Sequence, residues 1–435
     1  MQGKQVEQEV HKVQILDPAT GTGTFLAEVV KHVHKKFTGQ QGIWSNYVET
    51  HLLPRLNGFE LLMASYAMAH LQMDLLLKET GYVPLSLGLG VRSAQRLRIC
   101  LTNSLEESHP DTGTLFANWL STEANEANQI KRDTPVMCVI GNPPYSGISS
   151  NNGKWISKLI DDYKYIDGVH FNERKHWLND DYVKFIRYGQ HFIEKNGSGV
   201  LAFINPHGFL DNPTFRGMRW HLLKTFDKIY TIDLHGNAKK KEIAPDGSAD
   251  INVFDIEQGV SINVLVKTGK KKLNELCKVF HFDLFGKREF KYDFLLHNSL
   301  STINYSQLNP SKPYFFFIPK SDIGIDDYNI GFKISDLFIS NTVGFVTAND
   351  GLNISFSKSE HQYKINDLLT LNESVWRSKY NRNKDSRDWT YLTAKKDAID
   401  NYSESNIKSF DYRPFDNRFT LYSGKSRGLV FLPST

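Results

Sequence analysis

The chain has 435 residues, of which 23% are charged, and its 52 Lys and Arg against 48 Asp and Glu leave a net charge of +4. That length can hold more than one domain, and so modest a charge does not by itself announce nucleic acid. Cys100, Cys138 and Cys277 show no metal-ligand spacing and read as reduced core residues of a cytoplasmic protein; no signal peptide and no apolar run of membrane length is seen.

The first element is Ile15-Leu16-Asp17-Pro18-Ala19-Thr20-Gly21-Thr22-Gly23-Thr24-Phe25. It reads as a buried strand, a Gly-rich turn and the start of a helix running to about Lys36, with Thr24 as its N-cap and Glu28 in its first turn. Gly21 and Gly23 permit positive φ and close approach of backbone to a ligand. Asp17, at the end of the strand, repels a pyrophosphate but suits an ammonium or a sulfonium. The third Gly of a dinucleotide fingerprint is absent, with only Ala27 to replace it. Both points favour S-adenosylmethionine over NAD. Next, Leu56-Asn57-Gly58-Phe59-Glu60 reads as a second strand ending in an acid, where α/β cofactor folds hold ribose hydroxyls. Residues 37–55 form an insertion with its own helix.

Apolar runs near 13–16, 56–59, 98–101, 136–140, 199–204, 228–233 and 261–266 alternate with helical segments. This is the pattern of a Rossmann-like α/β fold, a mostly parallel sheet with helices on both faces. With 13–16 and 136–140 as central neighbours, the loops that follow them flank one crevice at the carboxyl ends of the strands.

The second of those loops is Asn142-Pro143-Pro144-Tyr145. The Asn142 side-chain carbonyl and the Pro143 backbone carbonyl can accept both hydrogens of one exocyclic amine, and the Tyr145 ring can stack on the base that carries it. An amine conjugated with an aromatic ring is a poor nucleophile because its lone pair is delocalised. Two acceptors that draw its hydrogens out of the ring plane localise that pair toward a methyl donor. The plain alternative is a strand followed by a Pro-rich turn.

Beyond the sheet, residues 271–330 read as a connector, with Pro310, Pro313 and Pro319 around the aromatic run 314–317. Residues 331–435 read as a smaller mixed domain. Basic residues cluster at Lys239-Lys240-Lys241, at Lys270-Lys271-Lys272 and between Arg377 and Arg387. In the last stretch Trp376, Tyr380 and Trp389 interleave with the cations, as they do where phosphate is contacted. Asp283, Glu289 and Lys291 could be taken for a metal nuclease triad, but their spacing is loose. Gly424-Lys425-Ser426 lacks the first Gly of a phosphate loop, since Phe419 stands there.

Asp17 to Gly23, Leu101-Thr102-Asn103-Ser104-Leu105 and Asn142-Pro143-Pro144-Tyr145 occur in the order found in the γ-class DNA adenine-N6 methyltransferases, which the chain resembles. The wider text is similar to the modification module of type ISP restriction–modification enzymes. It matches at 182–187, 211–219, 233–237, 252–256 and 412–418. The resemblance implies methyl transfer from S-adenosylmethionine to adenine N6, with double-stranded DNA as partner and the target adenine flipped out. Asp17, Ala19, Thr20, Gly21, Gly23 and Phe25 would surround the methionine part of the cofactor, Glu60 its ribose and Asn103 its adenine. Asn142, Pro143, Pro144 and Tyr145 would form the catalytic motif, and Tyr145 and Phe254 would hold the target base. Residues 1–270 would be the methyltransferase domain and 331–435 part of a target-recognition domain, with no metal. A helix that covers the cofactor in this class precedes the Gly-rich loop, whereas only Met1 to Lys12 stand here. The chain is therefore expected to be truncated at both ends, and fused to or complemented by a nuclease, a helicase and the missing segment. The rival readings are a methyltransferase acting on a non-DNA amide or amine, since release-factor glutamine methyltransferases share Asn-Pro-Pro-Tyr, and an inactive DNA-binding remnant.

Overall fold

The computed structural model describes residues 11–84, 96–107, 118–147, 149–173, 175–272, 275–321, 323–338 and 344–433. Most of the segment ahead of the first strand, residues 1–10, lies outside them. Residues 1–321 and 322–435 form separate compact units.

All seven apolar runs are strands of one sheet in the first unit: β1 (Gln14–Asp17), β2 (Leu56–Glu60), β3 (Arg98–Leu101), β4 (Val136–Gly141), β5 (Gly199–Pro206), β6 (Lys228–Asp233) and β7 (Val260–Lys267). Two more follow, β8 (Lys278–Asp283) and β9 (Ser306–Leu308), giving the order β9-β8-β6-β7-β5-β4-β1-β2-β3. β1, β2, β3, β4 and β5 run parallel. β7 lies antiparallel between β5 and β6. The chain leaves β1 toward β2 on one side and returns to β4 on the other, so the order reverses between β1 and β4. In open α/β sheets that is where ligands bind.

Alternation along the strands divides the interior. Leu16, Phe59, Val139 and Leu201 point into one cluster, while Ile15, Leu56 and Ile99 point into another with Leu26, Val30 and Met73 from the covering helices. Helices thus cover both faces. The insertion carries the helix Gln41–Tyr47, whose Trp44 fills the second cluster. Burial raises the thiols of Cys100 and Cys277 to about 12 and that of Cys138 to about 11, so none is a ready nucleophile.

Two expectations are corrected. Residues 271–330 are not a connector. β8 pairs in parallel with β6 along its whole length, and the aromatic run sends Phe315 and Phe317 into the main core. The sequence hid this strand because its alternation is built from aromatics and a buried histidine. Val279 and His281 face inward, while Phe280 stacks on Tyr230 at 4.9 Å and Phe282 on Phe294 at 5.4 Å. The first helix, Thr24–Lys35, is preceded by Gly23 in the left-handed region (φ 93°), not by a capping Thr24, and Glu28 lies beyond its first turn, paired with Lys31.

The second unit is built from the helices Lys358–Thr370, Glu373–Lys379 and Tyr391–Asn401 and the hairpin β10 (Ile407–Arg413) and β11 (Asp416–Leu421). The aromatics between 376 and 391 serve its core. Trp376 and Trp389 are buried and stack at 5.9 Å, while Arg377, Lys379 and Arg387 each hold a carboxylate. The phosphate-binding reading of this stretch therefore has a structural competitor at each of these cations.

His361 is fully buried there and accepts the Leu421 N–H at Nε2 (2.8 Å), so it must be neutral at that nitrogen. Burial, then the Lys364 charge, lowers its pKa to about 4. A depressed histidine leaves stability intact above its unfolded value near 6.5 and removes it as pH falls toward 4, by up to roughly 3 kcal/mol. Hydrogen-exchange protection along Lys358–Thr370, taken relative to the intrinsic rate at each pH, is expected to fall between pH 6.5 and 4.5, and less so in His361→Gln, whose amide oxygen can accept the same N–H. Equal loss of protection in both proteins would rule this out.

Candidate cofactor and target-base site

β1 and β4 are parallel neighbours, with Ile15 opposite Cys138 and Leu16 opposite Val139, so their carboxyl ends open side by side. Asp17 closes β1 and Gly141 closes β4. The two are in contact: a Cβ added to Gly141 would lie 2.7 Å from Asp17 Oδ1. A side chain at 141 would push the acid away, so this glycine lets the carboxylate reach beneath the loop that begins at Asn142. Asp17 is fully buried. Its Oδ1 accepts the Ala19 N–H at 3.1 Å, while Oδ2 is buried with no hydrogen-bond partner. Desolvation, partly offset by that N–H and reinforced by the charge of Glu60, raises its pKa to about 7.

Thr20 fixes the Gly-rich turn by donating from its hydroxyl to the Asp17 carbonyl (3.0 Å) and from its N–H to the Phe59 carbonyl (2.9 Å). Gly21 and Gly23 both have positive φ. A Cβ added to Gly23 would lie 3.4 Å from Ala69, so the helix Met63–Glu79 runs close behind the turn. Phe25 is half-buried at the start of the first helix. Glu60 stands at the end of β2, but most of its capacity is used by backbone. Oε2 accepts the Gly21 N–H at 2.8 Å, and Oε1 accepts those of Leu61 and Leu62 at 2.9 and 2.8 Å. It therefore clamps the turn and the entry to the next helix at once. Since a carboxylate offers about four acceptor positions, one remains for a hydroxyl.

Asn103 lies in the turn after β3. Its amide donates to Asn151 at 2.9 Å and its oxygen accepts the Leu105 N–H at 3.0 Å, while the neighbouring Ser104 hydroxyl is bonded to the Pro18 carbonyl. The three strand-end loops are thus tied together.

On the other side of Asp17, Asn142 and Pro144 are exposed and Pro143 is buried. The Tyr145 hydroxyl donates to Asn142 Oδ1 at 2.6 Å, with the Ile204 carbonyl 3.2 Å away, so the ring and the amide of the motif orient each other. Burial raises the Tyr145 phenol and keeps it a donor. Phe254, in the loop between β6 and β7, packs into the same apolar cluster as Tyr145, beside Leu234 and Val260. The structure therefore gathers Asp17, Gly21 and Glu60 on one side, Asn142, Tyr145 and Phe254 on the other, and joins the two at Asp17 and Gly141.

Sequence reasoning missed the supports of this site. Asp180, the N-cap of the helix Asp181–Asn196, accepts the N–H of Ser146, the residue after the motif, at 3.2 Å. The sequence signal was there in Asn179-Asp180-Asp181 before a helix. The nuclease-like trio does not converge. Asp283 is held well below the usual carboxylate range, against its burial, by His235 and His281 at 2.8 and 3.0 Å, and Lys291 is buried against Asp250. His207, His235 and Glu242 come within metal-ligating reach of one another, as do Asp233, His235 and Asp283. Hydrogen bonds already join His207 to Asp233 and His235 to Asp283. Gly424-Lys425-Ser426 is followed by no helix among the described residues.

Residues 88–239 match the Eco57I restriction-modification methylase family, and residues 336–430 the type ISP C-terminal specificity domain. No curated protein matches the chain. Among solved structures, it is similar to a nuclease-deletion mutant of the type ISP restriction-modification enzyme LlaGI in complex with a DNA substrate mimic. Identity is 21% over 97% of this chain and 35% of that one, with a TM-score of 0.67. It is likewise similar to DrdV in a DNA complex (23%, 97% and 41%, 0.66). A third match is LlaBIII, an ATP-dependent type ISP restriction-modification enzyme bound to DNA (22%, 96% and 28%, 0.66). The chain thus spans well under half the length of these enzymes. In this order along the chain, one segment matches a restriction-modification methylase model and another a type ISP specificity model, and the fold is similar to that of an ISP-like methyltransferase region. Among the described residues no helix is long and apolar enough to cross a membrane.

Proposed function

We propose that this chain transfers a methyl group from S-adenosylmethionine to the N6 amine of adenine in a specific sequence of double-stranded DNA, as the modification part of a restriction–modification system. One observation carries the reading: the buried acid at the end of β1 touches the glycine that introduces Asn142, which sets a cation site and an amine site side by side.

The residues present fit the cofactor. Asp17 Oδ2, buried and without a partner, suits the cofactor's positive charge, Glu60 keeps an acceptor position for a ribose hydroxyl, and the left-handed Gly21 and Gly23 hold the turn open. S-adenosylmethionine supplies a methyl group activated by its sulfonium. The chain's own part is at the acceptor. Asn142 Oδ1, aimed by the Tyr145 hydroxyl, and the Pro143 carbonyl take the two amine hydrogens and turn the nitrogen lone pair toward the donor. Tyr145 and Phe254 pack the flipped base, a stacking contact worth ~1–3 kcal/mol. The nitrogen, once methylated, is a strong acid and loses its extra proton to water. Residues 322–435 would read the DNA sequence. Cleavage and translocation, where they accompany this activity, belong to other segments or to a complementing chain.

The test is to incubate the protein with tritium-labelled S-adenosylmethionine and DNA free of adenine methylation, then digest the DNA to nucleosides. Label is expected in N6-methyladenine. Label in methylcytosine or in protein, or none while the cofactor binds, overturns the reading.

A further inference from the structure

The loop that carries Phe254 has no regular secondary structure between 251 and 259, yet it is anchored at many points. At its root the side chains of Lys291 and Asp250 are both 0% exposed and lie 2.9 Å apart. Lys291 Nζ also donates to the carbonyls of Leu234 (2.6 Å) and Ile251 (2.7 Å). Asp250 accepts the backbone N–H groups of Gly236 and Gly286. One buried ammonium therefore joins the end of β6, the start of the loop and the helix Arg288–His297. The same helix reaches further along the loop. Arg288 donates to the carbonyls of Asn252 (2.8 Å) and Phe254 (3.2 Å) and to Asp255 (2.7 Å), and the Tyr292 hydroxyl donates to Val253. From inside, Asn252 donates to the carbonyls of Gly236, Ile256 and Gln258, and its oxygen accepts the Phe254 N–H at 2.9 Å.

A buried ion pair is a weak source of stability, because well-packed apolar side chains of similar volume often do as well. What a fully satisfied pair can supply is a single geometry. A short irregular loop needs that if its ring is to meet a base in a fixed place, since a site held loosely by its supports loses function before it loses fold. We propose that Lys291, with Asp250 and Arg288, positions the 250–258 loop so that Phe254 packs against the flipped base. This rests on the reading of Phe254 given under the proposed function.

Once the methylated sequence is mapped, base unstacking is read on a duplex with 2-aminopurine in place of the target adenine, and kcat on the same duplex with adenine there, because 2-aminopurine has no amine at C6 to accept the methyl group. Four proteins are compared: Arg288→Ala, whose side chain is partly exposed and whose loss the fold can bear; the neutral pair Lys291→Met with Asp250→Asn; Phe254→Ala; and the neutral pair combined with Phe254→Ala. Melting and cofactor binding are measured alongside. The neutral pair and Arg288→Ala are expected to keep the KM for the cofactor. They should lose the fluorescence rise that reports an unstacked base and lower kcat by roughly tenfold, the size of one lost base–aromatic contact. Combining the neutral pair with Phe254→Ala should cost little beyond Phe254→Ala alone, because the pair acts through that ring. Full fluorescence and kcat in the neutral pair, or losses that add completely to those of Phe254→Ala, overturn the proposal. If the neutral pair does not fold, Arg288→Ala decides by the same readings. If Phe254→Ala itself changes neither fluorescence nor kcat, the base-packing role of Phe254 fails, and the positioning role with it.

Discussion

Replacing Asn142 by alanine is expected to lower methyl transfer by about 10²- to 10³-fold while leaving cofactor affinity within about twofold of the parent. The magnitude is that of removing one preorganised group aimed at the charge that develops in a transition state. The selectivity follows from geometry. Asn142 is exposed, and among the described residues its side-chain oxygen is tied only to the Tyr145 hydroxyl. On the cofactor side Gly21 donates to Glu60, Glu60 also accepts the Leu61 and Leu62 N–H groups just after β2, and Asp17 accepts from Ala19 and Thr20. Nothing on that side leans on the amide. Calorimetric titration with S-adenosylmethionine beside a labelled-methyl assay separates the two effects. A parallel loss of both would mean that Asn142 builds the loop and does not address the amine.

How much of this was legible in the sequence depended on whether a signal was local. Asp17, the two glycines, Glu60 and Asn142 to Tyr145 sit at strand ends, where apolar runs stop and special residues begin, and the structure places each at the end its run indicated. The adjacency of β1 and β4 is not local, but the rule that ligands bind where strand order reverses was enough to expect it. Three things were out of reach. Glu60 was read as a ligand for ribose alone, whereas its carboxylate first serves Gly21, Leu61 and Leu62, whose N–H groups carry no sign of their partner in sequence. β8 was missed because Lys278-Val279-Phe280-His281-Phe282-Asp283 buries a histidine on one face and stacks aromatics on the other. Lys291 drew notice only as part of a false triad. Its partner Asp250 is 41 positions earlier in a polar loop, and no spacing pattern links an acid to a lysine across such a gap.

The second large effect expected is at Asp17, and it carries a sign. Its pKa, raised to about 7 by burial, means that the free protein holds a proton there below neutrality. A cationic cofactor needs the carboxylate, so binding below pH 7 must release that proton. Affinity should weaken as pH falls from 7.5 to 5.5, approaching tenfold per unit at the lower end, and level off above 7. The measurement stays below pH 7.5 because an α-amino group loses its own charge near about 7.7–8. Stability runs the opposite way. A carboxyl whose pKa rises on folding contributes stability that is complete below its unfolded value and is lost as pH climbs through about 7, because a buried charge without a partner is then created. The free protein should therefore melt lower at pH 8 than at pH 6, and S-adenosylmethionine should recover part of the difference. Asp17→Asn tests both halves. It should weaken binding at pH 7.5 by at least about tenfold, the cost of one charge-assisted contact, and flatten both the affinity profile and the melting profile. An Asn variant that binds as tightly as the parent, or keeps the parent's pH dependence, would show that the cofactor's charge is held elsewhere and that this acid is only a buried support for Ala19 and Gly141.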